Sequence, residues 1–384
     1  SLTWEKSTTY DVGLDLDFFN NRLSVSGDYY RRYTTDMYTA SVALPAVYGT
    51  GSPKGNNAEM KTDGWELSLS WRDSFKLGGK PFDYSIKAMV WDNRTVVTKY
   101  ENATRSLGTL KGYIQNGGSP SDFYEGMELG EMWGYTVAGL FRDQADIDSS
   151  ATHDFTQASD KVTRPGQVKI ADLDGNGFID PGNFAVDDHG DLRIIGNQSP
   201  RYRYGVNLSA RWNGIGLSVF LQGVMKRDWY PSPDSGYFWG KYARPFMWVL
   251  GIHNYTDDMY SEEKNNWDTA YWPRMTTYQS NSSYSWTKLL EIPNTRYKQN
   301  AAYLRVKNIQ LDYSFPKHIC SAIRLQGLKI YVNAENLFTF TPLHKYAPNF
   351  DPEGLSYDSD FASAADGYTY PILKSVTVGV NITF

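Results

Sequence analysis

The final nine residues of the chain alternate without interruption between apolar and polar side chains and end on an aromatic residue. The alternation separates an apolar set from a polar set, namely Val376, Val378, Val380, Ile382 and Phe384 against Thr377, Gly379, Asn381 and Thr383. Because successive side chains of a β-strand point to opposite faces, this strand has one apolar and one polar face. A soluble sheet could contain such a strand. A strand of about ten residues that ends on Phe is, however, typical of an outer-membrane β-barrel.

The same alternation predicts eight further strands. With the last one, they lie near residues 10–18, 22–32, 58–71, 82–94, 200–212, 215–228, 301–316, 327–340 and 372–384. Short connections, at 20–21, 72–81, 213–214 and 317–327, alternate with long excursions, at 33–57, 95–199, 229–300 and 341–371. This alternation is typical of outer-membrane barrels, which have short periplasmic turns and long extracellular loops. Asn213-Gly214 is the strongest tight-turn signal, and a bulge is expected near Lys307-Asn308.

The strand number has the wrong parity for a closed barrel. Bacterial single-chain barrels have an even number of strands, and nine is odd. The chain also starts at Ser1 without the features of a signal peptide. We therefore expect the C-terminal portion of a larger barrel, whose other part holds an odd number of strands.

Composition excludes several other classes. The mean hydropathy is −0.52 and no apolar run approaches the length of a membrane helix, which excludes a helical membrane protein. A net charge of −5 without a long basic run makes nucleic acid an unexpected partner. The single cysteine, Cys320, allows neither an internal disulfide nor a cysteine metal cluster.

A series of short segments along the whole chain resembles one family. It begins with Leu2-Thr3-Trp4-Glu5-Lys6-Ser7 and Asp28–Asp36, continues through Asn56–Leu67 and Pro165–Gly177, and ends with Asn336–Thr339, Asp351-Pro352-Glu353 and Tyr370-Pro371. In this order they resemble the SusC/RagA family of TonB-dependent outer-membrane transporters. The chain would then supply the last nine strands of a 22-stranded transmembrane antiparallel barrel.

The resemblance also implies partners and a location. It implies a SusD-like substrate-binding lipoprotein over the outer loops, the remaining N-terminal part of the transporter, and TonB, which would act on a plug domain absent from this chain. It implies import of an oligosaccharide or peptide across the bacterial outer membrane, with lipid around the barrel. No nucleic acid and no cofactor requirement are implied.

One loop has the spacing of a calcium-binding EF-hand. Its ligands would be Asp172, Asp174, Asn176, the Phe178 carbonyl and Asp180, with Gly177 at the tight turn. Position 12 is Asn183 instead of the usual Glu, and Asp187 or Asp188 could supply further oxygens. A structural Ca²⁺ and a solvated turn whose side chains only cap the backbone both remain open.

The excursion 229–300 is rich in aromatic residues. Flat amphipathic rings stack on sugars or on peptide side chains, so we take six of them as candidate substrate contacts: Trp229, Tyr237, Trp239, Trp248, Trp267 and Trp272. The alternative is packing of one loop on another, or contact with a partner protein. A second aromatic set on the predicted lipid faces is interpreted as a girdle at the headgroup level: Tyr10, Trp65, Trp71, Tyr84, Tyr202, Tyr204 and Trp212.

Nothing in the sequence indicates catalysis. The five histidines are far apart, and hydrolase, metalloprotease and nucleotide-binding motifs are missing. The transporter interpretation has two rivals, a surface glycan-binding β-rich module without a pore and an outer-membrane hydrolase. The first predicts a water-soluble protein in which Leu14, Leu67, Val206 and Val380 lie beneath a second layer. The transporter predicts that lipid covers them, while polar side chains such as Asp15, Asp17, Glu66, Arg203 and Arg211 line a hydrated path.

Overall fold

A single antiparallel sheet dominates the computed structural model of the chain, which describes residues 2–40, 54–102, 105–107, 123–153, 163–231, 238, 258–274, 293–355 and 372–384. Within these residues the sheet has nine strands, and their order across the sheet is the same as their order along the chain. We number them β1 to β9: Lys6–Phe18, Leu23–Ala40, Lys54–Leu77, Lys80–Lys99, Arg201–Trp212, Ile215–Lys226, Tyr303–Ser314, Gly327–Phe340 and Ser375–Thr383. The predicted all-β antiparallel fold is confirmed.

Short connections join β1 to β2, β3 to β4, β5 to β6 and β7 to β8 at one end of the sheet, which we call the turn end, and the last of them contains the helix Lys317–Ala322. Asn213 and Gly214 have φ angles of 47° and 89°. Two positive φ angles match the twist of the flanking strands, and Asn and Gly are the residues that adopt them most easily. Trp212 accordingly pairs with Ile215 directly across the turn. The predicted hairpin at this position is confirmed.

The connection between β3 and β4 is shorter than the predicted 72–81. Gly78 and Gly79, with φ angles of 57° and 77°, form the whole turn, because Leu77 already pairs with Lys80. Pro81 lies near the start of β4, where the loss of a backbone donor is tolerated.

Strands β2, β3 and β4 are longer than the sequence pattern indicated, with 18, 24 and 20 residues. β2 and β3 pair as far as Ala40 and Lys54, inside the predicted excursion 33–57, and β4 reaches Lys99, inside the predicted excursion 95–199. A strand needs only about 9–11 residues to cross a bilayer. In these three strands the alternation of apolar and polar residues ends before the strand does. A part of a strand with water on both faces needs no apolar face.

The two faces of the sheet differ in polarity, and the apolar face is not covered. Val12 is 75% exposed, Leu14 61%, Val378 74% and Val380 55%. Leu67 and Val206 are half-buried. None of the four residues that test the membrane interpretation is therefore buried beneath a second layer of the described residues. We call this the outer face and the opposite one the inner face.

The bulge predicted near Lys307-Asn308 is present. The pairing of β7 with β8 shifts between Val306 and Asn308, and the pairing of β6 with β7 shifts at the same level, between Phe220 and Leu221. On both sides of the bulge the apolar side chains of β7 lie on the outer face. A one-residue bulge thus corrects the phase that the sequence left unclear.

At the end opposite the turns, the long connections pack around a hydrophobic core of their own, which we call the loop core. It contains buried Trp133, Tyr135, Leu140, Ile179, Leu192, Trp229, Tyr230, Phe238, Trp272, Tyr297, Leu343 and Phe350, among others. Short two-stranded sheets frame it, pairing Glu131–Tyr135 with Leu192–Asn197, Val137–Leu140 with Val168–Ile170, Thr152–His153 with Phe178–Ile179 and Asp228–Trp229 with Gln299–Asn300.

Helices are few and short. The described ones are Gln144–Asp148, Lys317–Ala322 and the 3₁₀ turn Pro342–Lys345. None of the helices in the described ranges is both long and apolar enough to cross a membrane.

Candidate functional site

The inner face carries the polar side chains predicted to line a hydrated path. The register of pairing places all five on this face: Asp15, Asp17, Glu66, Arg203 and Arg211. Four of them are exposed, and Arg203 is half-buried. The inner face is therefore a polar surface that carries charges of both signs.

Near the turn end this face is concave, with a volume of about 1000 Å³. The side chain of Asp312 lies in it, only 8% exposed, with Arg211 at 3.8 Å and Lys329 at 3.9 Å. Gly216 makes room for this carboxylate, since a Cβ there would lie 2.5 Å from Asp312 Oδ2. The sequence pattern did not single out Asp312, because nothing in an alternating strand distinguishes one inward carboxylate from the next.

Toward the loop end, Arg305 fixes the segment that follows β8 to the inner face. Its side chain is 2% exposed, and its Nη2 lies 2.6 Å from both oxygens of Asp351. The same guanidinium binds Glu353 and donates from Nε to Thr339 Oγ1. A buried arginine needs such partners, because an uncompensated charge away from water is costly. This contact orders the stretch around Asp351-Pro352-Glu353.

Two of the loop aromatics predicted to contact substrate, Trp229 and Trp272, lie inside the loop core. Trp229 and Trp272 are 2% and 0% exposed. Trp229 packs on Phe350 with ring centres 4.8 Å apart, and Trp272 stacks on Tyr297 at 5.7 Å. The assignment of these two rings to substrate binding is wrong, because burial in the loop core leaves no ring face for a ligand.

The other four candidates have different outcomes. Trp267 packs against the loop core but is only half-buried, so part of its ring is accessible. Tyr237, Trp239 and Trp248 lie outside the described residues.

The aromatics of the outer face lie at two levels. Trp71, Tyr84 and Trp212 lie toward the turn end, where Trp71 Nε1 donates to Tyr84 Oη at 3.0 Å. Tyr204, eight residues from Trp212, lies about 26 Å farther along β5. Such spacing matches the apolar band between the two aromatic girdles of a membrane barrel.

The predicted metal loop forms a tight turn crowded with carboxylates. Both oxygens of Asp172 accept backbone hydrogen bonds, from Gly175 at 2.6 Å and from Gly177 at 2.9 Å. These donors lower the pKa of Asp172, with the bond from Gly177 as the largest cause. The loop thus has the local geometry expected of a turn that caps its own backbone.

A residue that the sequence did not single out completes the cluster. Ligand atoms of Asp172, Asp174 and Asp191 lie within 4.8 Å of one another. Asp191 is fully buried, and burial raises the pKa of its carboxyl group, as do the charges of Asp174 and Asp172. Of the predicted ligands, Asp180 instead accepts from Asn176 Nδ2 and from Gly182 N. The oxygens fit a hard cation such as Ca²⁺, and Ca²⁺ binding stays a prediction.

The comparisons with known proteins point to one group. Residues 1–165 match the family model described as TonB dependent receptor-like, beta-barrel. The TonB-dependent receptor P3 of Formosa agariphila is 26% identical over 100% of this chain and 34% of its own length. The TonB-dependent receptor SusC of Bacteroides thetaiotaomicron is 24% identical over 100% of this chain and 32% of its own length.

A solved structure of the RagAB peptide importer in its closed-closed state has the same fold. The TM-score is 0.65 at 21% identity, and the match covers 100% of this chain and 36% of that one. This chain therefore spans about a third of the length of the proteins it matches. As the sequence resemblance predicted, the nine-stranded sheet is similar to part of the β-barrel of TonB-dependent receptors of the SusC/RagA type.

Proposed function

We propose that the chain forms part of the wall of an outer-membrane transporter that imports oligosaccharides or peptides. The observation that carries this proposal is the polarity of the sheet, with uncovered aliphatic side chains such as Val378 on the outer face and charged ones such as Arg211 on the inner face. In water an uncovered apolar face of this extent would drive aggregation. In a bilayer the same face is stabilised, and the inner face lines an aqueous lumen.

The edges of the sheet support a larger assembly. In the described part of the chain, β1 pairs only with β2, and β9 pairs only with β8. An open strand edge in lipid leaves backbone N–H and C=O groups unsatisfied, at several kcal/mol each. Further strands, from the remaining part of the transporter, would complete the barrel and hold a plug on which TonB acts.

The loop end of the sheet would bind the SusD-like lipoprotein. A buried core of loop aromatics gives this end a fixed shape, so it can present a stable surface to a SusD-like lipoprotein. The relatives are receptors and transporters by name. We therefore expect transport without chemistry on the substrate.

The rival interpretation, a glycan-binding module without a pore, fits the structure less well. It requires a second layer over the outer face, whereas Leu14 and Val380 are 61% and 55% exposed. Fractionation separates the two proposals. We expect the full-length receptor in the outer-membrane fraction, extractable only with detergent; recovery in the soluble fraction without detergent would contradict the transporter.

Import itself needs a separate measurement. Cells that express the full-length receptor with its lipoprotein should accumulate labelled oligosaccharide or peptide, and loss of TonB should abolish the uptake. Uptake that continues at the same rate without TonB would contradict active transport.

A further inference from the structure

We propose that a recess on the inner face, centred on Arg203, binds a carboxylate group of the transported substrate. This inference rests on the proposed import function and names a chemical class for its substrate.

A row of four side chains on adjacent strands forms the floor of the recess. Arg203 on β5 pairs with Trp91 on β4 and with Val224 on β6, and Val224 pairs with Tyr303 on β7. Directly paired residues share a face of the sheet, so the four side chains stand side by side on the inner face. Arg203 therefore stands between Trp91 and Val224 in this row.

The recess is small. Its volume is about 140 Å³, and Gln222, Arg227 and Glu353 also line it. A site for a whole small-molecule ligand usually measures about 300–1000 Å³. The recess therefore suits one end group of a larger substrate that continues into the lumen.

The positive charge of Arg203 is not neutralised locally. Among the described residues its guanidinium has neither a hydrogen bond nor an ion pair, although the side chain is half-buried. A guanidinium carries five N–H donors, and water satisfies those that remain accessible when no ligand is bound. Donors without an acceptor, in a recess of this size, fit a ligand that supplies the acceptors.

A second guanidinium adds to the positive potential. Arg227 is mostly buried, and its donors reach neutral carbonyl oxygens, those of Gln198 at 3.2 Å, Pro352 at 3.2 Å and Leu355. Burial lowers the pKa of Arg227, and the nearby charge of Arg203 lowers it further. Carbonyl groups satisfy hydrogen bonds without cancelling charge, so the charge of Arg227 adds to that of Arg203 in the recess.

The carboxylates at the rim are already engaged. Glu353 is bound by Arg305 and by Lys307, whose Nζ lies 3.0 Å away, and Asp351 is bound by Arg305 at 2.6 Å. The charged residues that line the recess are Arg203, Arg227 and Glu353, a net charge of +1.

A carboxylate matches this site in geometry as well as charge. The planar guanidinium fork of an arginine can bind both oxygens of one carboxylate, and such charge-assisted pairs are among the strongest hydrogen bonds in proteins. Trp91 and Val224 would contact the carbons that carry the group. Two sources of this chemistry fit the proposed substrates, the free C-terminus of a peptide and the carboxylate of a uronic acid.

Calorimetric titration of the full-length transporter with matched probes tests the proposal. One pair is an oligopeptide with a free C-terminus and its C-terminal amide; the other is a uronate oligosaccharide and its methyl ester. We expect the wild-type protein to bind one carboxylate probe at least about tenfold more tightly than its neutral partner. The pair that shows this preference identifies the source of the carboxylate.

Variants assign the preference to the recess. Arg203→Gln should remove it, and Arg203→Lys, which keeps the charge but not the fork, should retain part of it. Lys87→Gln is the matched control, because Lys87 is an exposed cation on the same inner face, opposite Asn207. We expect the preference to survive in Lys87→Gln.

Two results would overturn the proposal: equal binding of both members of each pair to the wild-type protein, or the same loss in Lys87→Gln as in Arg203→Gln. Failure of import is distinguishable from either. A carboxylate preference that depends on Arg203 in a protein without uptake contradicts transport and supports the recess. Uptake with equal rates for charged and neutral probes supports transport and contradicts the recess.

Discussion

Arg201 on β5 donates two hydrogen bonds to the carboxylate of Asp92 on β4, from Nε to Oδ1 at 2.7 Å and from Nη2 to Oδ2 at 2.6 Å. The Asp92 side chain is 3% exposed and that of Arg201 is 21% exposed. Arg201 also reaches Glu128 at 3.2 Å, in the loop segment that pairs with the upper part of β4. The pair therefore connects the sheet to the start of the loop core.

Arg201→Met should destabilise the folded receptor by about 3 kcal/mol, because it leaves the Asp92 carboxylate buried without its cation. The measurement is the free energy of unfolding of the full-length receptor in denaturant titrations. Arg94→Met is the control. Its guanidinium binds Glu128 at 2.6 Å but is 59% exposed, so its loss should cost at most about 1 kcal/mol. Equal losses in the two variants would show that burial of the pair does not matter.

Val378→Arg should prevent or weaken insertion into a bilayer. Val378 is 74% exposed on the outer face in the middle of β9, and an arginine on the lipid face of a barrel costs about 2–4 kcal/mol near the midplane. Thr377→Arg, one residue away on the inner face, should have little effect. The fraction of full-length receptor that folds into lipid vesicles measures both. A soluble module without a bilayer would tolerate the two substitutions alike.

The loop around His153 should open in acid. Burial lowers the pKa of His153 to about 4. Its Nε2 accepts a hydrogen bond from Ile170 N at 3.0 Å, and its Nδ1 lies 2.9 Å from the Ala151 carbonyl oxygen. The neutral ring with its proton on Nδ1 satisfies both contacts, and the charge of Lys169 further disfavours protonation.

The sign of this effect follows from the two pKa values. The unfolded state takes up a proton near pH 6.5 and the folded state only near 4, so stability is full above 6.5 and falls as pH drops toward 4. Hydrogen exchange of residues 151–153 and 168–170 between pH 7 and pH 4.5 should report the opening. His153→Gln cannot titrate and should flatten this dependence. An unchanged slope in His153→Gln would assign the acid effect to other groups.

Calcium should bind to the loop that contains Asp172 and Asp191. Titration of metal-stripped full-length receptor with Ca²⁺ measures the affinity. Asp174→Asn should weaken it by about tenfold or more, because it removes an exposed anionic ligand. Asp148→Asn, which neutralises an exposed carboxylate at the end of a nearby helix, should leave it unchanged. Absence of calcium binding, or equal weakening in both variants, would leave the turn as a self-capped loop.

The pattern of the sequence was most informative where lipid would impose it. The strict alternation from Val376 to Phe384 and the Asn213-Gly214 turn identified strands and a hairpin, because one apolar face and two positive φ angles each leave a direct signature. The alternation of apolar and polar residues is lost toward the loop end of the sheet, where β2 and β3 continue to pair although neither face is apolar. There the backbone pairing of Ala40 with Lys54 depends on the neighbouring strand and not on side-chain polarity.

The candidate site residues also divide into those that local sequence spacing identifies and those that only the fold brings together. The spacing of Asp172 and Asp174 is local and could be recognised, whereas Asp191 joins them only through the fold. The loop tryptophans show the limit from the other side, because a ring suited to stacking on a ligand is equally suited to a core. Only the packing of Trp229 on Phe350 and of Trp272 on Tyr297 decided that these two rings are structural.

By itself the sequence determined the antiparallel β architecture and which face of each strand is apolar, since both follow from the order of side chains along one strand. Only the tertiary structure decided which charges meet across strands. It paired Arg201 with Asp92 and Arg305 with Asp351, and it left Arg203 without a partner among the described residues. Those outcomes depend on the register between strands and on loops that return from distant parts of the chain, and neither is written in local periodicity.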